Sequence, residues 1–268
     1  MEQVYETVRE VTDTYIVPYE TELKTAWIGL AFMVFGVLSS GLLKASYGRH
    51  HSENTIFPTI NGKFGWMFQE LFSPIVAWIY YQAYKEPGPT ISKGSILLTL
   101  WLIHYINRAV YSVIVSPGMA STRIDTVLMA ILFNIVTAAW CAHDLAKATS
   151  PFALTPQTLL GIPIFFLGMS INISSDVHLR TIRRRKGKTG EYVLPEWGLF
   201  KFIVSPNYLG EIIEWTGFAI VLGRLSGLGF VLWTVSNLAP RARSNLEWYK
   251  ERFGERVGDR SGIIPGVY

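Results

Sequence analysis

The sequence predicts an all-α, polytopic membrane protein: seven transmembrane helices enclosing a cofactor/substrate cavity. Three observations lead there. The chain has 268 residues, of which 50% are hydrophobic and 14% aromatic, and only 16% are charged, fewer than a soluble domain of this size carries. Apolar runs recur at close to the roughly 20 residues that a bilayer-spanning helix needs. Polar side chains sit inside or at the edges of those runs at helical spacing: Glu70, Arg108, Asn172, Asp176, Glu211 and Glu214. A charge at the centre of hydrocarbon costs about 2.5–3.5 kcal/mol on insertion scales. Several at helical spacing imply a shared polar interior.

Residues 1–24 are polar and acidic, with Glu2, Glu6, Glu10, Asp13, Glu20 and Glu22, and have the look of a terminal segment rather than a cleavable signal peptide. The membrane domain then occupies residues 25–268. Its seven candidate spans are residues 25–43, 64–84, 95–115, 125–142, 159–175, 208–222 and 228–239. Pro87, Gly88 and Pro89 mark a turn between the second and third spans. Pro163 interrupts the fifth, and the seventh is short, with a continuation expected along residues 241–253.

Lys and Arg set the orientation. They gather after the first span (Lys44, Arg49, Lys63), after the fifth (Arg180, Arg183, Arg184, Arg185, Lys186, Lys188, Lys201) and after the seventh (Arg241, Arg243, Lys250, Arg252, Arg256, Arg260). With seven spans these connections share one face, which puts the N-terminus outside and the C-terminus in the cytoplasm. Tyr47, Tyr84, Trp140 and Trp197 near span ends fit interfacial anchoring.

The single cysteine, Cys141, excludes an internal disulfide and a cysteine-rich metal site. None of the five histidines forms a zinc-type pair, so no metal is expected. Neither a GxGxxG nor a GxxxxGK[ST] motif occurs where it would bind a nucleotide, so any dinucleotide is held by another fold. Nothing points to nucleic acid.

Four constellations carry chemistry. Asn172, Asp176 and Arg180 are four apart and share a helical face, with Arg183 three further on. Arginine forks match phosphate oxygens, and such a cluster also serves as ordinary positive-inside charge beside lipid headgroups. In Ser205-Pro-Asn-Tyr-Leu-Gly-Glu-Ile-Ile-Glu-Trp215, Pro206 suits a first helical turn. Asn207, Glu211 and Glu214 line one face there, and a bland helix start does not explain two glutamates deeper in. Gln69 and Glu70 lie near the start of an apolar run, where Glu70 either snorkels or, kept neutral by burial, donates a hydrogen bond to a carbonyl. Tyr105 in His104-Tyr-Ile-Asn-Arg108 offers a second donor. Arg241, Asn245 and Tyr249 are spaced four and four along one face.

In this order the motifs resemble the steroid 5α-reductase family. The matching pieces are Tyr47-Gly-Arg-His50, Gln69-Glu70-Leu71, His104 to Arg108, Gly168 to Arg183 and Gly198-Leu-Phe200, then Asn207-Tyr-Leu-Gly-Glu211-Ile-Ile-Glu214-Trp215, Arg241-Ala242, Trp248-Tyr249 and Ile264-Pro265. The resemblance implies NADPH as cofactor and a 3-oxo-Δ4-steroid, or another hydrophobic enone, as substrate drawn from the membrane lipids. Glu70 and Tyr105 would hydrogen-bond the C3 carbonyl oxygen, with Gln69 lining the same end. Tyr47, Arg108, Tyr111, Asn172, Asp176, Arg180, Arg183, Tyr192, Asn207, Glu211, Arg241, Asn245 and Tyr249 would surround NADPH. Two departures stand out. Asn245 occupies the place where the family commonly has His, and the step from Arg108 to Tyr111 is one residue shorter than in some members. A related sterol or enoyl-lipid reductase and a membrane methyltransferase using S-adenosylmethionine are the neighbouring readings. A transporter is the rival of another class, disfavoured by the lack of repeat halves.

Overall fold

The computed structural model describes residues 1–40, 57–186 and 192–266 and is almost wholly helical. The helices are α1 (Glu2–Tyr15), α2 (Glu20–Ser39), α3 (Gly62–Tyr84), α4 (Lys93–Tyr105), α5 (Ser112–Val115), α6 (Ile124–Ala146), α7 (Pro156–Lys186), α8 (Pro206–Leu222) and α9 (Leu225–Phe253). Among the described residues four helical stretches are long and apolar enough to cross a membrane: Val17–Ser39, Lys93–Val115, Ile124–Ala146 and Pro156–Arg185. The other three expected spans are helical too, on α3, α8 and α9, but do not combine that length with that apolarity. For α8 the shortfall is length, 17 residues. Polar side chains lower α3, and the basic second half of α9 dilutes its apolar first half.

Pro163 does not interrupt the fifth span, contrary to the expectation. α7 runs 31 residues through it. Proline removes one amide donor and crowds the preceding turn, a local cost that the long flanking turns absorb. At 1.5 Å per residue α7 is about 46 Å long, against roughly 30 Å of hydrocarbon. One end therefore projects, and Arg180, Arg183, Arg184 and Arg185 mark which.

The chain forms two compact units. The first comprises Met1–Trp27, Ser46–Leu159 and Ile220–Gly229. Within it α3 packs along α6, and a short antiparallel pair, β1 (Thr59–Ile60) with β2 (Thr122–Arg123), ties their starts together. Asn61 caps α3 by accepting from the amides of Lys63 and Phe64, and Ser92 with Ser95 forms a capping box on α4. A six-residue π-helical turn, Ile106–Tyr111, comes directly after α4. α1 lies against α3 through Arg9 donating to the Ala83 carbonyl, Thr12 meeting the Tyr80 hydroxyl at 3.2 Å and Tyr84 donating to Asp13 at 2.9 Å.

The second unit comprises Ile28–Ala45, Leu160–Ala219 and Phe230–Tyr268. Its spine is a glycine seam between α7 and α8. A Cβ on Gly168 would stand 2.5 Å from the Gly210 carbonyl oxygen, and one on Gly217 2.5 Å from that of Gly161. Both helices keep glycine seven residues apart, so the backbones touch along two turns in antiparallel sense. Small residues allow such approach wherever helices pack without a large side chain between them. Trp215, almost fully buried, packs edge-on against Phe165, Phe218 and Phe230. The C-terminal stretch returns to this unit: Val204 and Ser205 amides donate to the carbonyls of Ser261 and Gly262.

Candidate functional site

Each unit gathers a group of buried and half-buried polar side chains that includes residues expected from the sequence. In the first, α3 contributes Gln69 and Glu70, α4 contributes His104 and Tyr105, and all four are at least nine-tenths buried. The π-helical turn directly after Tyr105 carries Arg108. Such turns insert an extra residue and rotate the side chains beyond it, which is why they concentrate at functional sites. Here Arg108 Nε stands 3.5 Å from Glu70 Oε2, and its guanidinium lies 4.9 Å from the centre of the Trp66 ring. Gln69 Nε2 is 3.4 Å from Glu70 Oε1. The buried Gln69 Oε1 has no hydrogen-bond partner among the described residues, so this acceptor is available to a ligand donor.

Motif spacing misses one member of this group. Asn134 of α6 is buried and links the group together. Its Nδ2 donates to the Gln69 backbone carbonyl at 2.9 Å, and its Oδ1 accepts from the Tyr105 hydroxyl at 3.4 Å. A signal for it does exist in the sequence: an amide in the middle of the apolar run 125–142 has no topological use. The same unit holds a separate charged knot that no motif scan finds, because its members are far apart in sequence. Lys24 Nζ contacts Glu20 Oε1 at 2.8 Å and Asp144 Oδ2 at 3.0 Å, His143 Nδ1 meets Glu20 Oε1 at 3.0 Å, and Ser226 donates to Asp144. Glu20, His143 and Asp144 bring ligand atoms within 4.8 Å of one another. Lys24 already supplies that cluster with a cation.

In the second unit α7 and α8 face each other with Asn172 and Asp176 against Asn207 and Glu211. Asn172 Nδ2 donates to the Asn207 carbonyl at 2.9 Å and lies 3.5 Å from Glu211 Oε2, and Asn207 Nδ2 donates to Asp176 Oδ1 at 3.1 Å. The seam explains the closeness: a Cβ on Gly210 would sit 2.5 Å from the Asn172 amide nitrogen. Glu214, one turn further along α8, is fully buried. On α9, Asn245 Nδ2 donates to Ser205 Oγ at 3.2 Å, and Tyr249 is buried with Leu194, Val204 and Val257. Tyr192 stacks edge-on against Trp248, 4.9 Å between centres, and Arg252 lies over both rings.

Of the residues expected from the sequence, Gln69, Glu70, Tyr105 and Arg108 come together in the first unit, and Asn172, Asp176, Asn207 and Glu211 in the second. Arg180 continues the Asn172 and Asp176 face of α7, while Arg183 is exposed. Arg241, Asn245 and Tyr249 share α9 as expected. Tyr111 is 52% exposed on the π-helical turn. Tyr47 lies outside the described residues.

This is a helical, membrane-type protein with buried polar groups on glycine-tight and π-bulged helices, and known proteins are similar to it in sequence. Residues 120–268 match the family model for 3-oxo-5-alpha-steroid 4-dehydrogenase. The chain is 33% identical to 3-oxo-5-alpha-steroid 4-dehydrogenase 1 of Mus musculus, covering 88% of this chain and 92% of the mouse protein. It is 32% identical to Steroid 5-alpha-reductase DET2 of Gossypium hirsutum over 90% of this chain and 92% of the relative. Against the Homo sapiens 3-oxo-5-alpha-steroid 4-dehydrogenase 1 the identity is 32%, with 83% and 86% covered. The chain belongs to the 3-oxo-5-alpha-steroid 4-dehydrogenase family, enzymes that are oxidoreductases of steroid metabolism.

Proposed function

We propose that this protein reduces the Δ4 double bond of a 3-oxo-Δ4-steroid to the 5α product with NADPH, as a multi-pass enzyme of seven spans formed by residues 25–268, N-terminus outside and C-terminus cytoplasmic. The observation that carries the reading is the meeting of Gln69, Glu70 and Tyr105, three buried polar side chains, in a chain of this family. An enone accepts hydride at its β carbon, and negative charge then develops on the carbonyl oxygen. Fixed donors aimed at that oxygen in a water-poor site lower the barrier. Tyr105 donates its phenolic proton, and the Glu70 carboxyl is the second group assigned to that oxygen. Arg108 at Glu70 Oε2 and Gln69 at Oε1 fix the carboxyl group between them.

The donor set of the second unit suits a dinucleotide phosphate. Asp176 and Glu211 supply acceptors for hydroxyl and amide hydrogens, Asn172 and Asn207 supply both kinds, and Arg180, Arg183 and Arg241 supply cations for phosphate oxygens. The arginines favour the additional 2′-phosphate of NADPH over NADH. Tyr192, Asn245 and Tyr249 complete the set; Tyr47 and Tyr111 are assigned by resemblance alone. When bound, NADPH supplies the hydride that C5 receives.

The deciding assay uses the full chain in lipid nanodiscs with NADPH and a 3-oxo-Δ4-steroid. Loss of the reduced-nicotinamide absorbance together with a 5α-configured product is expected. No NADPH oxidation, or a 5β product, overturns the reading.

A further inference from the structure

Asn134 is a buried side chain to which the proposed reaction gives no part. Its orientation comes from hydrogen-bond inventory. The Gln69 backbone carbonyl can only accept, so the group 2.9 Å from it must be the Asn134 amide nitrogen. That fixes Oδ1 on the other side, where it faces the Tyr105 hydroxyl at 3.4 Å. An amide oxygen can only accept, so the phenol donates. A phenol has one proton. In the substrate-free enzyme that proton is therefore directed at Asn134, and it is the same proton that carbonyl polarisation requires of Tyr105.

We propose that Asn134 is the exchange acceptor for Tyr105: it keeps the buried phenol paired while the site is free of substrate and yields the proton to the 3-oxo group when substrate enters. This rests on the assignment of Tyr105 to the carbonyl. The length of the bond suits the role. At 3.4 Å it is longer than the usual 2.7–2.8 Å of an O–H···O bond, so it is readily surrendered to a better-placed ketone oxygen. Burial makes the role useful, since an unpaired polar group away from water costs free energy. Asn134 stays anchored through Gln69 during the exchange, so the amide does not turn. Because one hydrogen bond replaces another, the ketone gains little net affinity from Tyr105, and apolar contact carries most of the binding.

The sign of the expected effect separates this role from a merely structural one. Asn134→Leu removes the bond that the ketone has to displace, so binding of a 3-oxo ligand tightens; damage to the fold would weaken it. The measurement is equilibrium binding of a saturated 3-oxosteroid and of its 3-deoxy analogue to the full chain in nanodiscs, with the Asn134→Leu, Tyr105→Phe and double variants. Tightening of the 3-oxo ligand by about three- to tenfold is expected in Asn134→Leu, the range of one neutral hydrogen bond. The 3-deoxy ligand should not change, and in the Tyr105→Phe background the tightening should vanish. Unchanged or weaker 3-oxo binding by folded Asn134→Leu protein overturns the proposal, as does equal tightening of the 3-deoxy ligand. If the leucine variant does not fold, Asn134→Ala takes its place under the same criteria. Turnover of a 3-oxo-Δ4-steroid by the Tyr105→Phe variant at the wild-type rate removes the carbonyl from Tyr105. That result sinks the underlying assignment and the exchange with it, and it is recognisable because it needs no Asn134 variant.

Discussion

Glu70 and Arg108 illustrate how residue-scale costs are met in this chain. Each is expensive alone in an apolar run, and the structure sets Arg108 Nε 3.5 Å from Glu70 Oε2 with side chains 19% and 10% exposed. Removing either side chain leaves a buried polar partner unsatisfied. Arg108→Leu should lower stability by about 2 kcal/mol, less than for a fully enclosed pair, because Arg108 keeps some access to solvent. The double change to leucine at both positions should recover most of that loss, as read by thermal melts in detergent. Melts of equal midpoint for wild type and Arg108→Leu would show the pair contributes nothing. For the reaction itself, Glu70→Gln and Tyr105→Phe should each lower kcat by about 100-fold while NADPH dissociation constants stay within about twofold, the pattern of donors used at the carbonyl. Comparable losses in both quantities would remove these residues from the chemistry.

At the scale of elements, the polar group proposed for the cofactor depends on two helices held at backbone distance. Gly210→Ala would put a Cβ 2.5 Å from the Asn172 nitrogen and 2.7 Å from the Gly168 oxygen, main-chain atoms that cannot rotate away. Forced separation of α7 from α8 should destabilise by about 2 kcal/mol and weaken NADPH binding at least several-fold, since Asn172 donates to the Asn207 carbonyl and Asn207 to Asp176 across that seam. Gly29→Ala on α2 is the control: nothing lies within 4 Å of the added carbon, and alanine favours a helix by up to about 1 kcal/mol. If both variants melted and bound NADPH alike, the seam would not be what holds the site. The π-helical turn Ile106–Tyr111 is a second element-scale device. It carries Arg108 into reach of Glu70 immediately after α4 has positioned Tyr105.

At the scale of the whole molecule, the basic residues after α7 and along α9 make a topological prediction. A glycosylation acceptor added ahead of α1 should be modified in a microsomal expression system, and one added after the last residue should not be. The reverse pattern would invert the orientation; modification at both ends or neither would imply an even number of spans. Hydropathy alone reads this scale unevenly. The stretches Val17–Ser39, Lys93–Val115, Ile124–Ala146 and Pro156–Arg185 are unambiguous, while α8 is short at 17 residues and α3 and α9 are diluted by polar side chains, among them Gln69, Glu70, Arg241 and Asn245, which are proposed for the site. Function and hydropathy compete for the same positions.

Resemblance to a known family, not spacing, joined Gln69 and Glu70 to Tyr105. The sequence by itself determined that the chain is helical and apolar enough for a membrane, and that the Asn172 to Arg183 and Asn207 to Glu214 stretches each carry polar groups on one helical face. Those are properties of composition, period and local motif, which survive without knowledge of neighbours. Only the tertiary structure decided who partners whom. It paired Arg108 with Glu70, and it set Asn134 between Gln69 and Tyr105, residues 65 and 29 positions away. It carried α7 straight through Pro163 and joined Lys24 to Asp144 across 120 positions. The reason is physical: a buried polar atom must find a partner in space, and the partner that packing brings within about 3 Å is not fixed by distance along the chain.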